Sequence, residues 1–114
     1  MAFGDRIVVL RPAMVSDRYS SVERPDWTKP PERVEVPFGV SVQPASSTEG
    51  APERPTVTTG WKLIGPPGRD IALRPVDRVE VNGEDVLSVV GEVARWRVAG
   101  RVHHVQAFLE RVKG

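Results

Sequence analysis

Cysteine is absent from this chain of 114 residues, which excludes disulfides and thiolate metal ligands. Long apolar runs are missing too, and no stretch approaches the roughly 20 residues that span a bilayer. The first residues show no basic segment followed by an apolar run, so no signal peptide is expected. We therefore expect a protein that neither enters a membrane nor is exported by a signal of its own.

An excess of charge of one sign is also lacking, because 16 basic and 15 acidic residues give a net charge of +1. Nucleic-acid-binding domains usually gather Lys and Arg on one face or in one run, whereas here they alternate with acids, as in residues 77–80. Three Phe, three Trp and one Tyr would also make a sparse platform for stacking bases. The composition disfavours a dedicated nucleic-acid binder.

What the chain does contain is eleven prolines and ten glycines, which favour short strands and loops over helices. Apolar side chains occupy every second position of residues 34–42, the period of a strand with one buried face. Asn82-Gly83 is the commonest two-residue hairpin signal. The predicted strands are 6–11, 34–42, 56–64, 79–81, 85–97 with an interruption at Gly91, and 102–112, although helical spacing is also conceivable in the last.

Several local features follow from single residues. Pro37 cannot donate to a ladder and predicts an edge strand or a bulge, and Gly60 predicts a bulge or a close backbone approach. Pro67 and Gly68 suit the central positions of a type II turn. The register of the hairpin over residues 79–90 stays open, since turns of two and three residues place different residues opposite Val79.

These elements predict a single all-β domain over residues 1–114. The expected architecture is a small antiparallel SH3-like β-barrel or sandwich of about six strands. Two long loops, at about residues 13–33 and 44–56, flank the second predicted strand. Loops of that length in so small a domain are more often functional than incidental.

No residue pattern supports catalysis, so we expect no enzyme, no cofactor and no metal. His103 and His104 are adjacent in a predicted strand, and adjacent strand residues point to opposite faces, where they cannot easily chelate one ion. Glu84 and Asp85 flank a turn, where acidic residues are common for local reasons. No nucleophile elbow and no phosphate-binding loop is present.

Aromatic side chains supply the remaining candidates. Trp61 is in phase with Leu63 and is expected in the core, whereas Trp96 is expected either in the core or stacked on its neighbouring arginines. Tyr19 and Trp27 lie in the first long loop and are candidates for an interface. Trp27 has a second interpretation, in which it folds back as a plug over the barrel.

Five groups of residues, taken in order, span nearly the whole chain: 3–12 (FGDRIVVLRP), 59–71 (TGWKLIGPPGRDI), 77–83 (DRVEVNG), 91–92 (GE) with 94–97 (ARWR), and 107–114 (AFLERVKG). In this order they resemble the head-to-tail stopper (head-closure) proteins of long-tailed phages, especially those of actinobacterial phages. One difference is the connection after the arginine-tryptophan segment 94–97, which is shorter here than is common in that family.

The resemblance implies a structural protein of the virion neck, assembled in the host cytoplasm. Twelve or six subunits would form a ring, although the isolated chain could be a monomer. The ring would lie below the portal and its adaptor and above the tail terminator and tail tube. Packaged DNA would fill the channel without sequence-specific contacts. The resemblance further implies that the loop over residues 45–55 projects toward the channel and contributes to its closure; its candidate residues are Ser46, Ser47, Glu49, Glu53 and Arg54.

Two other functions stay open at this point. A tail terminator also forms rings, and would be expected to pack a longer helix against its sheet. A small barrel that binds nucleic acid or a peptide as a monomer would show a salt-sensitive interaction.

Overall fold

A computed structural model describes residues 2–19, 21–49 and 56–112 of the chain. All regular secondary structure in these ranges is β-strand, which confirms the predicted all-β class. The described residues form nine strands, where about six were predicted. They are β1 (Ile7–Arg11), β2 (Ala13–Ser16), β3 (Glu23–Asp26), β4 (Glu32–Glu35), β5 (Ser41–Glu49), β6 (Thr56–Ile64), β7 (Arg78–Val81), β8 (Asp85–Val98) and β9 (Arg101–Arg111).

Seven strands form one antiparallel sheet in the order β4-β1-β7-β8-β9-β6-β5, and β2 pairs with β3 in a separate sheet. The chain just before β5 returns to the chain just before β1, where Asp5 and Val40 exchange backbone hydrogen bonds of 2.9 and 2.8 Å. The Asp5 carboxylate also accepts a bond from the Val42 amide at 2.9 Å. This single bridge does not close a barrel, and the curled sheet fits a sandwich.

One face of the curled sheet forms the core. Alternate residues of each strand point inward, so the apolar phase of the sequence becomes the buried face. A turn of three residues joins β7 to β8 and places Leu87 opposite Val79, with both side chains buried. The buried cluster consists of Ile7, Val9, Val36, Val40, Leu63, Ile71, Leu73, Val79, Val81, Leu87, Val89, Val105, Ala107 and Leu109.

The prediction of one continuous strand over residues 34–42 is wrong, because β4 ends at Glu35 and β5 begins at Ser41. Residues 36–40 separate β4 from β5, because Pro37 offers no amide and the chain must turn toward the segment before β1. Gly39 lies so close to that segment that an added Cβ would stand 2.0 Å from the carbonyl oxygen of Phe3. Val36 and Val40 still reach the same core, which explains why the alternation crosses the break.

Both predicted loops contain strands. The first, at about 13–33, includes the β2–β3 hairpin and the start of β4. The second, at about 44–56, is shortened because β5 continues through Pro44 to Glu49, opposite a β6 that begins at Thr56. A proline is tolerated there because β5 is the edge strand of the sheet.

The segment between β6 and β7 has no strand, as predicted, and begins with the expected turn. Gly68 has a φ of +78°, the value that the third position of a type II turn requires. Two arginines tie the segment down from neighbouring strands. Arg95 of β8 donates to the carbonyls of Ile71 and Leu73 at 2.9 and 3.0 Å, and Arg11 of β1 pairs with the buried carboxylate of Asp77 at 3.4 Å.

No helix in the described part of the chain is long and apolar enough to cross a membrane.

Candidate interaction surface

Two long hairpins extend beyond the sheet that supports them. In the first, β5 and β6 stay paired from Ala45 and Gly60 out to Glu49 and Thr56, past Trp61, the last β6 residue that pairs with β9. At roughly 3.3 Å per residue, this free part of the hairpin is about 16 Å long. The structure thus places the described part of the predicted channel segment, residues 45–49, in a two-stranded arm.

The second hairpin, β8–β9, turns at Ala99-Gly100, where φ values of +52° and +78° match a tight two-residue turn. The β6–β9 register runs from Trp61 opposite Leu109 to Ile64 opposite Gln106. Because the two strands are antiparallel, the last β5–β6 pair, Glu49 with Thr56, lies toward the C-terminal end of β9, and the β8–β9 turn lies at the N-terminal end of β9. The two hairpins therefore leave the sheet at opposite ends.

The candidate residues of the channel segment divide between two situations. Ser46, Ser47 and Glu49 belong to β5, where their backbones pair with Thr59, Thr58 and Thr56. The prediction that they lie in a loop is wrong, since the ladder of β5 and β6 includes them. Glu53 and Arg54 lie outside the described residues.

The outer face of the β8–β9 hairpin carries an apolar stripe made of Val90, Trp96, Val98 and Phe108. Val90 pairs directly with Phe108. Beyond the irregularity between Val90 and Ala94, Trp96 pairs with His104, which lies on the same face of β9 as Phe108, and Val98 is two residues farther along β8 on that face. Trp96 is 57% and Phe108 52% exposed. This stripe was not predicted from the sequence. It could have been found from Phe108, because an aromatic residue that alternates with the apolar Val105, Ala107 and Leu109 must lie on the opposite, outer face of the strand.

Trp96 lies neither in the core nor on its neighbouring arginines, so both predictions for it are wrong. Its indole stacks on His104, directly opposite on β9, with ring planes 10° apart and centroids 5.9 Å apart. Arg95 alternates to the other face and bonds Asp70 at 3.0 Å. Alternation along the strand thus separates the indole from the guanidinium beside it in sequence.

The two histidines are together rather than on opposite faces, which corrects the prediction made from strand alternation. Trp96 pairs with His104 while Arg97 pairs with Val102, so β9 contains one more residue than β8 between these pairs. This β-bulge turns the extra residue, His103, toward the side of its neighbour. The two Nδ1 atoms lie 2.9 Å apart.

The interface candidates of the first predicted loop have different environments. Tyr19, next to the β2–β3 turn, is 89% exposed, with Arg18 over its ring at 5.9 Å. Trp27, which follows β3, is partly buried and folds back, with the Arg78 guanidinium 4.0 Å from the centre of its ring. Trp61 is partly buried against the core, as expected.

An ion pair joins the edge strand β4 to the middle of the sheet. Arg33 meets the Glu80 carboxylate in a fork, with N–O distances of 3.0 and 3.1 Å. Hydrogen bonds from Arg33 hold the pKa of Glu80 below its ordinary value and raise the pKa of Arg33. Both side chains are partly exposed, so this is a surface ion pair, which contributes little to stability.

Within residues 2–19, 21–49 and 56–112, no group of three or more His, Asp or Glu is arranged to hold a metal ion. Comparison with known proteins gives no further assignment, because no family model, no curated protein and no solved structure matches the chain.

Proposed function

We propose that this protein is a head-to-tail stopper of a tailed phage, a ring-forming subunit that lies between the portal with its adaptor and the tail. The observation that carries the proposal is the placement of the β5–β6 and β8–β9 hairpins at opposite ends of one sheet. The sequence resemblance supports this class of protein, and the two hairpins provide two separate surfaces for contacts in a ring.

A closed ring of identical subunits needs two different patches on each copy, because every contact is heterologous. The apolar stripe on the β8–β9 hairpin is suited to be one of them, since exposed apolar patches with polar surroundings mark interaction sites. The β2–β3 arm, with the exposed Tyr19, supplies another surface for a neighbouring copy or the adaptor.

The β5–β6 hairpin is the part proposed to face the channel. Its described strands carry small and hydroxyl-bearing residues, and its last pair joins Glu49 to Thr56. Several such hairpins in one ring would meet near the axis, and a change in their order would open or close the passage for DNA. Binding of DNA there requires no base contacts.

Truncating the free part of this hairpin tests the proposal. Removing residues 46–59 and joining Ala45 to Gly60 through Asn-Gly keeps the β6–β9 pairing and uses a turn suited to a paired end. In the phage or prophage that encodes the chain, we expect heads that lose DNA or fail to accept tails. The double substitution S47T and T58S, which keeps the hairpin length, is the matched control and should be infectious.

Normal infectious particles from the truncated chain would contradict the role in closure. Gene order provides an independent check: portal, capsid and adaptor genes upstream with tail genes downstream support the proposal, whereas a metabolic operon contradicts the whole assignment.

A further inference from the structure

The two histidines of the β9 bulge form a cluster that the proposed neck function does not use. They are the only histidines in a chain without cysteine, so every imidazole of the protein lies at this one point. His103 is exposed and His104 partly exposed, on the face that also carries Trp96. Their Nδ1 atoms are 2.9 Å apart, a distance at which one ring donates a hydrogen bond to the other.

We propose that His103 and His104 form a two-imidazole chelate for a divalent transition-metal ion of tetragonal geometry, Cu²⁺ or Ni²⁺. The inference is independent of the proposed function and rests on the bulge alone. A metal ion takes the place of the proton that the two Nδ1 atoms share.

The separation of the two nitrogens, which is also that of their hydrogen bond, is compatible with tetragonal geometry. With metal–nitrogen bonds of about 2.0–2.1 Å, two ligands at a right angle lie about 2.9 Å apart, and two at a tetrahedral angle about 3.3–3.4 Å apart. The observed 2.9 Å matches the right angle. Square-planar and tetragonal nitrogen sites favour Cu²⁺ and Ni²⁺, and Cu²⁺ binds most tightly of the divalent first-row ions.

Binding requires a local proton shift and a rotation of the exposed His103 ring, which turns its Nδ1 lone pair from the line between the two nitrogens toward the ion. The ring that donates in the free protein carries its proton on Nδ1, and metal binding moves that proton to Nε2, leaving both Nδ1 lone pairs for the ion. Trp96 stacks on His104 with its plane 10° away and so restricts the rotation of that ring. Water fills the other coordination positions.

The test is a titration of the full chain with CuCl₂ in a buffer without chelating groups, followed by tryptophan emission and by electron paramagnetic resonance. We expect one Cu²⁺ per chain, hyperfine coupling to two nitrogens, and quenching of Trp96, whose ring lies beside His104. H103A and H104A should each weaken binding by about tenfold or more, since even outer-shell changes at metal sites cost about that much. W96F should reduce the quenching, because it removes the indole beside His104, and R101A should bind Cu²⁺ as the unchanged protein does.

A deletion of Val102 tests the bulge directly. It leaves both histidines in place but restores regular pairing of β8 with β9, which sends His103 and His104 to opposite faces. Circular dichroism establishes that the sheet is retained, and Cu²⁺ affinity should then fall as in H103A. Unchanged affinity in this deletion or in the alanine variants, coupling to a single nitrogen, or tighter binding of Zn²⁺ than of Ni²⁺ would overturn the proposal.

Discussion

The Arg78 guanidinium lies 4.0 Å from the centre of the Trp27 ring and fixes the end of the β2–β3 arm to the large sheet. Arg78 is the first residue of β7, and Trp27 follows the last residue of β3. Leu10, directly opposite Arg78, is 6% exposed although it lies outside the core cluster, so this part of the outer face is covered. The contact explains how an arm with a sheet of its own stays attached.

Replacing Trp27 with Ala should lower the free energy of unfolding by about 1 kcal/mol, because a partly exposed cation–π pair contributes about that much. R78A should have a similar effect, and the double variant should lose less than the sum of the two. Urea denaturation of the four proteins measures the coupling. Strictly additive losses would show that the two side chains do not stabilise each other.

Gly60→Ala should destabilise the protein by about 2–3 kcal/mol, the cost of forcing an atom into a packed site. An added Cβ would stand 2.5 Å from the carbonyl oxygen of Leu109, and a backbone atom cannot easily move away. G4A is the matched control, since nothing lies within 4 Å of a Cβ at that exposed position. Thermal unfolding of both variants checks this, and equal melting temperatures would contradict the close approach.

Asp77→Ala should cost about 3 kcal/mol, because it leaves the partly buried Arg11 without its carboxylate and frees the segment before β7. E80Q removes a carboxylate from the more exposed pair with Arg33, and its effect should be much smaller. Chemical denaturation compares the two variants. A larger loss in E80Q would reverse the assignment of buried and surface pairs.

Glu80 should make stability depend on acidity in a defined direction. Folding lowers its pKa below the ordinary 4.5, so the unfolded chain takes up the proton more readily. The stabilisation is present above pH 4.5 and is lost as the pH falls through the depressed pKa of the folded state. The difference in stability between the unchanged protein and E80Q should thus be largest near neutral pH, and a difference that grows in acid would contradict this.

Phe108→Ser should reduce the free energy of unfolding by only about 1 kcal/mol, because its side chain is already half exposed and a cross-strand pair such as that with Val90 contributes about 0.2–1 kcal/mol. Its side chain is 52% exposed in the apolar stripe, so we expect the variant to lose assembly with its own copies or with the adaptor. Sedimentation of the neck complex measures the loss. L109S, one position along and buried, should fail to fold and serves as the contrast.

Much of the fold could be predicted from the sequence, because strand periodicity and turn type are determined by residues that are neighbours in the chain. The alternation in 56–64 and 102–112 predicted the buried positions of Leu63 in β6 and of Val105, Ala107 and Leu109 in β9, and Pro67-Gly68 specified its turn. Prediction failed where a partner distant in sequence decides. The break between β4 and β5 depends on the approach of Gly39 to Phe3, and the extension of β5 beyond Pro44 depends on its ladder with β6.

Composition and periodicity by themselves determined an all-β chain without thiol chemistry, because burial of every second residue is a property of the strand alone. The tertiary structure decided what each exposed element can do. Only the β6–β9 register places the two hairpins at opposite ends, and only the extra residue of β9 brings His103 and His104 to one side. Strand alternation predicts the faces of side chains only in a regular ladder, and the pairing of β8 with β9 is irregular at this bulge.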